Sequence, residues 1–172
     1  MKKKTFTTRK MVIAALLGAV CMVMGLTGLG MIPMPTPSGR ATIMHVPVIL
    51  AGILEGPVVG GLAGLIFGVY SFFTPSGVIP QDPIVRILPR IAIGIASAYA
   101  FKMAGRKISF GAFLAGIVGT TVNTVGFVGL AVIMGYLPQS AALLLIPQFL
   151  GELVAATVIV VILTKALYKR LH

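Results

Sequence analysis

The sequence predicts an all-α integral membrane protein, a single bundle of six transmembrane helices with both termini cytoplasmic. Composition comes first: of 172 residues, 58% are apolar and only 10% charged, against about 25% charged in a soluble domain. The 14 basic and 3 acidic side chains are too few to solubilise so apolar a surface. The charges also stand at intervals that match bilayer-length segments, and the basic ones collect on one side of the implied topology. A water-soluble domain, a disordered chain, collagen and a disulfide scaffold are excluded. Cys21 stands alone, and the sequence carries no metal-ligand spacing.

A helix crosses the hydrocarbon with about 20 apolar residues, its backbone groups paired internally. Residues 11–39 carry no charge, and the first span is expected at 11–31. The basic start and apolar run resemble a signal peptide, but the run exceeds an h-region and no small-x-small site follows, so the segment is expected to be retained. The uncharged stretch 56–81 holds a span at 57–74. Segment 84–102 is apolar apart from Arg86 and Arg90 at its start and the basic turn at its end. The uncharged run 108–151 holds a span at 109–135 and the start of another at 141–167, with Glu152 inside the latter.

The segment 43–55 decides the count. Its apolar part, Ile43–Leu54, reaches only about 18 Å as a helix, yet parity requires it to cross. With six spans, one side holds Lys2, Lys3, Lys4, Arg9, Lys10, Lys102, Arg106, Lys107, Lys165, Lys169 and Arg170, and the other only Arg40, Arg86 and Arg90. That distribution obeys the positive-inside rule. The basic clusters lack aromatic interleaving or a nucleic-acid module, so they read as topology signals and no nucleic-acid partner is expected.

Two outer connections, 30–39 and 74–83, are rich in Pro and Gly and should be stiff and non-helical. They read either as plain connectors or as semi-rigid lids over an outward cavity. Glycines at 52, 56, 60, 64 and 68 give the second and third spans a flat face for close helix approach. The first span has its own small face, Ala15 and Ala19 with Ala14 and Gly18 one residue round, suited to the protein's own helices or to a partner helix.

Ionisable residues inside a membrane face a cavity or a partner. Arg86 and Arg90, four apart, share one helix face. Glu152 lies midway along the sixth span with Gln148 one turn outward, and Asn123 sits mid-span among Thr120, Thr121 and Thr124. One reading pairs Arg90 with Glu152 as a structural ion pair and lets Arg86 snorkel. The other gives Arg86, Arg90 and Arg40 to an anionic solute, with Asn123, Gln148 and Glu152 as polar contacts and Tyr70 on the apolar wall. A guanidinium fork matches the two oxygens of a carboxylate. His45 reads as a helix-entry or packing residue. No triad, metal site or Walker A motif appears, so no enzyme activity, metal or cofactor is expected.

The small face Ala14-Ala15-Leu16-Leu17-Gly18-Ala19, the run Thr42-Ile43-Met44-His45-Val46-Pro47 through Glu55-Gly56-Pro57, the continuation Gly60-Gly61-Leu62-Ala63-Gly64, and Asp82-Pro83 leading to Leu88-Pro89-Arg90 resemble the substrate-binding S components of energy-coupling factor (ECF) vitamin transporters. The resemblance covers nearly the whole chain. It implies a multi-pass subunit of the cell membrane that binds a vitamin from outside, beneath loops joining spans one and two and spans three and four. It implies docking, through Ala15 and Ala19, onto an ECF module of one transmembrane coupling subunit and two ATPase subunits, where ATP is hydrolysed. Pantothenate suits an Arg pair with Asn and Gln and modest aromatic lining. Folate, riboflavin and cobalamin are the alternatives, and a stand-alone secondary carrier for a small organic anion or a ligand-free scaffold are competing classes.

Overall fold

The computed structural model describes residues 7–33, 40–74, 80–105 and 107–171. The described chain is helical apart from one short ribbon: α1 (Thr8–Leu26), β1 (Met31–Pro33), β2 (Arg40–Thr42), α2 (Val46–Glu55), α3 (Pro57–Phe73), α4 (Pro83–Met103), α5 (Ile108–Ile133), α6 (Gln139–Leu143) and α7 (Ile146–Leu171). Four helical stretches are long and apolar enough to cross a bilayer: Thr8–Leu26, Pro83–Met103, Ile108–Ile133 and Gln139–Tyr168. With 10 and 17 residues, α2 and α3 are shorter. The protein wears its hydrophobic side outward. Leu16, Val23, Phe113, Val154 and Ile162 are exposed, while Arg86, Arg90, His45, Asn123 and Glu152 are buried, the arrangement lipid favours.

Helix ends follow local chemistry. Asp82 caps α4 by accepting from Ile84 N (2.8 Å) and Val85 N (3.2 Å), placing a carboxylate at the positive end of the helix dipole. Its other oxygen accepts from the Tyr136 hydroxyl at 3.1 Å, which ties the far end of α5 to the start of α4. That bond to Asp82 holds the Tyr136 phenol above its ordinary pKa. Prolines open α2, α3 and α4 within the first turn, where a missing N–H costs nothing. A single residue joins α2 to α3: Gly56, at φ 94°, a conformation other residues rarely adopt.

Three boundaries differ from the sequence reading. The first helix stops at Leu26 rather than at residue 31. Gly28, at φ 74°, turns the chain out of the helix, and residues 31–33 form a strand instead. Part of the stiff outer connection is thus an antiparallel ribbon pairing Met31 with Thr42, Ile32 with Ala41 and Pro33 with Arg40. The expected sixth span is divided, because a turn at Leu144 and Leu145 separates α6 from α7. Pro147 has no N–H to offer the Leu143 carbonyl, so the ladder cannot run through and restarts with proline in its first turn. Residues 75–79 of the second outer connection lie outside the described residues, as do 34–39 of the first.

The core gathers around α2, whose residues Val46 to Leu54 are all buried, as befits a helix apolar on every side. The tightest packing is glycine on backbone. A Cβ on Gly60 of α3 would lie 2.7 Å from the Gly94 carbonyl oxygen of α4 and 2.8 Å from Gly52 Cα of α2. Gly64 presses on the Arg90 carbonyl, and a Cβ on Gly68 would come within 2.9 Å of Ile87 Cα. Four of the five rhythmic glycines therefore form a three-helix seam, and the fifth, Gly56, makes the turn. The seam sets α3 antiparallel to α4 and fixes the backbone on which Arg90 stands.

Candidate binding site

Arg86 and Arg90 share a face of α4, but the fold gives them different surroundings. Arg86 is 1% exposed. Its Nε donates to the Pro80 carbonyl at 3.2 Å, and its Nη1 to the carbonyls of Ser71 (3.3 Å) and Thr74 (3.4 Å). It neither snorkels nor stands open; it holds the end of α3 and the approach to α4 around the second outer connection. Arg90, 8% exposed, donates through Nη1 to the Val85 carbonyl at 3.4 Å. Pro89 explains that acceptor, since it lacks the N–H that would have closed on Val85. The Arg90 guanidinium lies 4.4 Å from the Phe127 ring centroid and 5.7 Å from that of Phe67, within cation–π range. Its Nε is buried and has no hydrogen-bond partner among the described residues.

No ion pair joins Arg90 to Glu152. Among the described residues the only ion pair is Arg9 to Glu55, at 3.4 Å, between the start of α1 and the end of α2. Glu152, 2% exposed, is held instead by neutral donors. Its Oε1 accepts from the Thr42 amide (2.8 Å) and from Gln148 Nε2 (2.9 Å), and its Oε2 from Thr124 Oγ1 (2.9 Å). Gln148 thus serves its own helix, one turn from the carboxylate.

The inward face of α5 joins these groups. Thr120, Asn123, Thr124 and Phe127 recur at three- and four-residue spacing, so they line one side of the helix. Thr120 Oγ1 meets His45 Nε2 at 3.0 Å, Thr124 reaches Glu152, and Phe127 underlies both arginines. Asn123 is 7% exposed with its Oδ1 unbonded, and His45, fully buried, leaves Nδ1 unbonded. A buried polar atom without a partner costs about 1–3 kcal/mol. Arg90 Nε, Asn123 Oδ1 and His45 Nδ1, on α4, α5 and the cap of α2, are a cationic donor, a carbonyl acceptor and an imidazole nitrogen. That set suits an anion that also carries a hydroxyl or amide N–H.

Other residues singled out in the sequence lie elsewhere. Tyr70 is half-buried, its hydroxyl beside Gly25 of α1, and it packs against the core cluster that includes Met44 and Phe67. The side chain of Arg40 lies outside the described part of the structure, although its backbone belongs to β2. On α1, Ala15 and Ala19 are exposed, whereas Ala14 and Gly18 are buried. Ala14 packs with Ala51, Val59 and Ala63, and a Cβ on Gly18 would meet Ile66 of α3 at 2.8 Å. The small residues of the first span therefore divide between an inner seam and an outer face, and Ala14 and Gly18 are corrected to the inner one. Sequence reasoning missed His45, Phe67, Phe127 and the Thr42 amide. Only Phe127, one turn from Asn123, carried a spacing signal.

Buried polar groups inside an apolar exterior mark this as a membrane protein. A family model described as ECF transporter, substrate-specific component matches residues 9–169, and the chain belongs to that family, a non-enzymatic transport component. The chain is similar to the pantothenic acid transporter PanT of Lactococcus lactis subsp. cremoris (strain MG1363), with 31% identity over 106 residues, 50% of this chain and 53% of the relative. It spans about half the length of that curated relative.

Proposed function

We propose that this chain is the solute-capturing subunit of an ATP-driven vitamin importer of the cell membrane, and that its solute is pantothenate. One observation carries the reading: Arg90 is a buried guanidinium with an unbonded Nε and no carboxylate partner among the described residues, and Asn123 on the inward face of α5 has an unbonded carbonyl oxygen. Pantothenate supplies the complement, a carboxylate for the fork of Arg90 and hydroxyl and amide N–H donors for Asn123 and His45. Phe67 and Phe127 hold the guanidinium plane and exclude water, which strengthens its attraction for an anion. The name of the Lactococcus relative points to the same solute.

Six passes with both ends cytoplasmic fit the contacts at the basic end of the bundle. Arg9 pairs with Glu55, and Phe101 near the end of α4 packs on Tyr168 near the end of α7, ring centroids 5.8 Å apart. The solute groups lie toward the opposite, outer end. Transport energy comes from partners, a transmembrane coupling subunit and two ATPases, which receive the chain on the Ala15 and Ala19 face of α1. No cofactor belongs to the chain itself.

Equilibrium binding of radiolabelled pantothenate to the purified protein tests the solute. Saturable binding below micromolar concentration, competed by unlabelled pantothenate and not by riboflavin or cobalamin, is expected; tight binding of another vitamin with none of pantothenate overturns the assignment. Ala15→Leu and Ala19→Leu are expected to leave that binding unchanged and to reduce uptake in vesicles containing the partner subunits. Uptake by the chain alone, without ATPases, would instead identify a secondary carrier.

A further inference from the structure

We infer that Glu152 is the positioning residue that fastens the outer ribbon over the solute site, acting through the Thr42 amide rather than on the solute. The inference rests on the proposed solute-binding role and adds what governs access to it. Both carboxylate oxygens are already occupied, by donors from β2, α5 and α7. Thr42 ends β2, and its amide points to Glu152 while the next amide, of Ile43, donates to the Gly30 carbonyl at 2.9 Å. A two-stranded ribbon has unpaired amides along its outer edges, and here one of them is met by a buried charge.

The choice of an acid follows from the donor set. An ionised carboxylate only accepts, so it can take an amide N–H, a hydroxyl and a side-chain amide together. A glutamine in its place would set an NH2 group against one of these donors. Charge-assisted bonds are also the stronger kind. Three residues beyond Thr42, His45 is bonded to Thr120. Lifting the ribbon therefore breaks the Thr42–Glu152 bond and pulls on the segment that carries a site residue.

Three variants of the full-length protein test this. Glu152→Ala removes the latch, Glu152→Gln keeps one accepting oxygen, and Thr42→Pro deletes the single amide while leaving Glu152 intact. No bond between the two strands goes with it, because the Thr42 amide is directed to Glu152 rather than to β1. With radiolabelled pantothenate, Glu152→Ala and Thr42→Pro are expected to speed association and dissociation alike, each about tenfold, the worth of one charge-assisted bond. The dissociation constant should move less than threefold, and Glu152→Gln should fall between. A slower or unchanged association with faster dissociation in Glu152→Ala would make Glu152 a solute contact and overturn the inference.

A second measurement needs no solute. Hydrogen exchange on the protein alone should show faster exchange at residues 40–43 in Glu152→Ala and Thr42→Pro, with α3 and α4 unchanged. Unchanged protection of the ribbon overturns the latch even if pantothenate binds. Faster exchange there in a protein that fails to bind pantothenate upholds the latch and overturns only the solute assignment. If Glu152→Ala does not fold, Thr42→Pro alone decides both arms.

Discussion

Along α3 and α4, Gly60, Gly64 and Gly68 bring backbone against backbone at Gly94, Arg90 and Ile87; beyond the close approach of Gly116 to Thr157, α5 and α7 meet where the Thr124 hydroxyl donates to Glu152, which also accepts from Gln148 on its own helix. The first contact has no freedom, because an added methyl group would strike a carbonyl or a Cα. The second is made of rotatable groups, and next to it the chain breaks between α6 and α7. A rigid seam thus carries the buried Arg90, while the adaptable side carries the amide and hydroxyl groups gathered on Glu152. The difference teaches how a small bundle can hold a charge in a fixed place beside groups that are free to rearrange.

Breaking the seam should have the largest effect. Gly64→Leu drives a side chain into the Arg90 carbonyl, and overpacking of this kind costs about 3 kcal/mol. Thermal unfolding in detergent should show a large fall in Tm together with loss of solute binding. On α5, by contrast, Gly129 has open space where a Cβ would lie. Gly129→Ala should leave Tm unchanged or raise it slightly, since alanine is the better helix former by about 0.5–1 kcal/mol.

Arg90→Ala comes next. Removing the fork is expected to weaken pantothenate binding by about 2 kcal/mol, roughly thirtyfold in Kd, and Arg90→Lys should recover only part of it because an ammonium lacks the planar fork. Titration calorimetry would check both. An unchanged Kd in Arg90→Ala removes Arg90 from the site. On the adaptable side, Thr124→Val deletes one donor to Glu152 and is expected to cost about 1 kcal/mol of stability, read as a small shift in Tm with the helical content intact. A loss as large as that of Gly64→Leu would erase the contrast between the two sides.

Much of the site was legible residue by residue, though not as an arrangement. Spacing placed Arg86 and Arg90 on one face, and the cost of charge in lipid marked both, with Asn123 and Glu152, as residues of consequence. What each one faces was not legible. Arg86 turns to the carbonyls of Ser71, Thr74 and Pro80, and Arg90 to the rings of Phe67 and Phe127. His45, a single polar residue in an apolar run, showed nothing of its bond to Thr120, 75 positions away. Strands of three residues are too short for alternation to register, so the ribbon read as a stiff loop. The break before α7, on the other hand, was encoded locally in Pro147.

By itself the sequence determined the surroundings and the units. Its apolar excess demands lipid, its charge spacing delimits the helices, and its glycine rhythm provides a seam, because these depend on composition and on neighbours within a few turns. Only the tertiary structure decided which charges are paired. The bonds that occupy Glu152 reach across 28 positions to Thr124 and 110 to Thr42, so whether a buried acid meets a cation, a hydroxyl or an amide follows from how distant helices pack, and Arg90 is left without a carboxylate for the same reason.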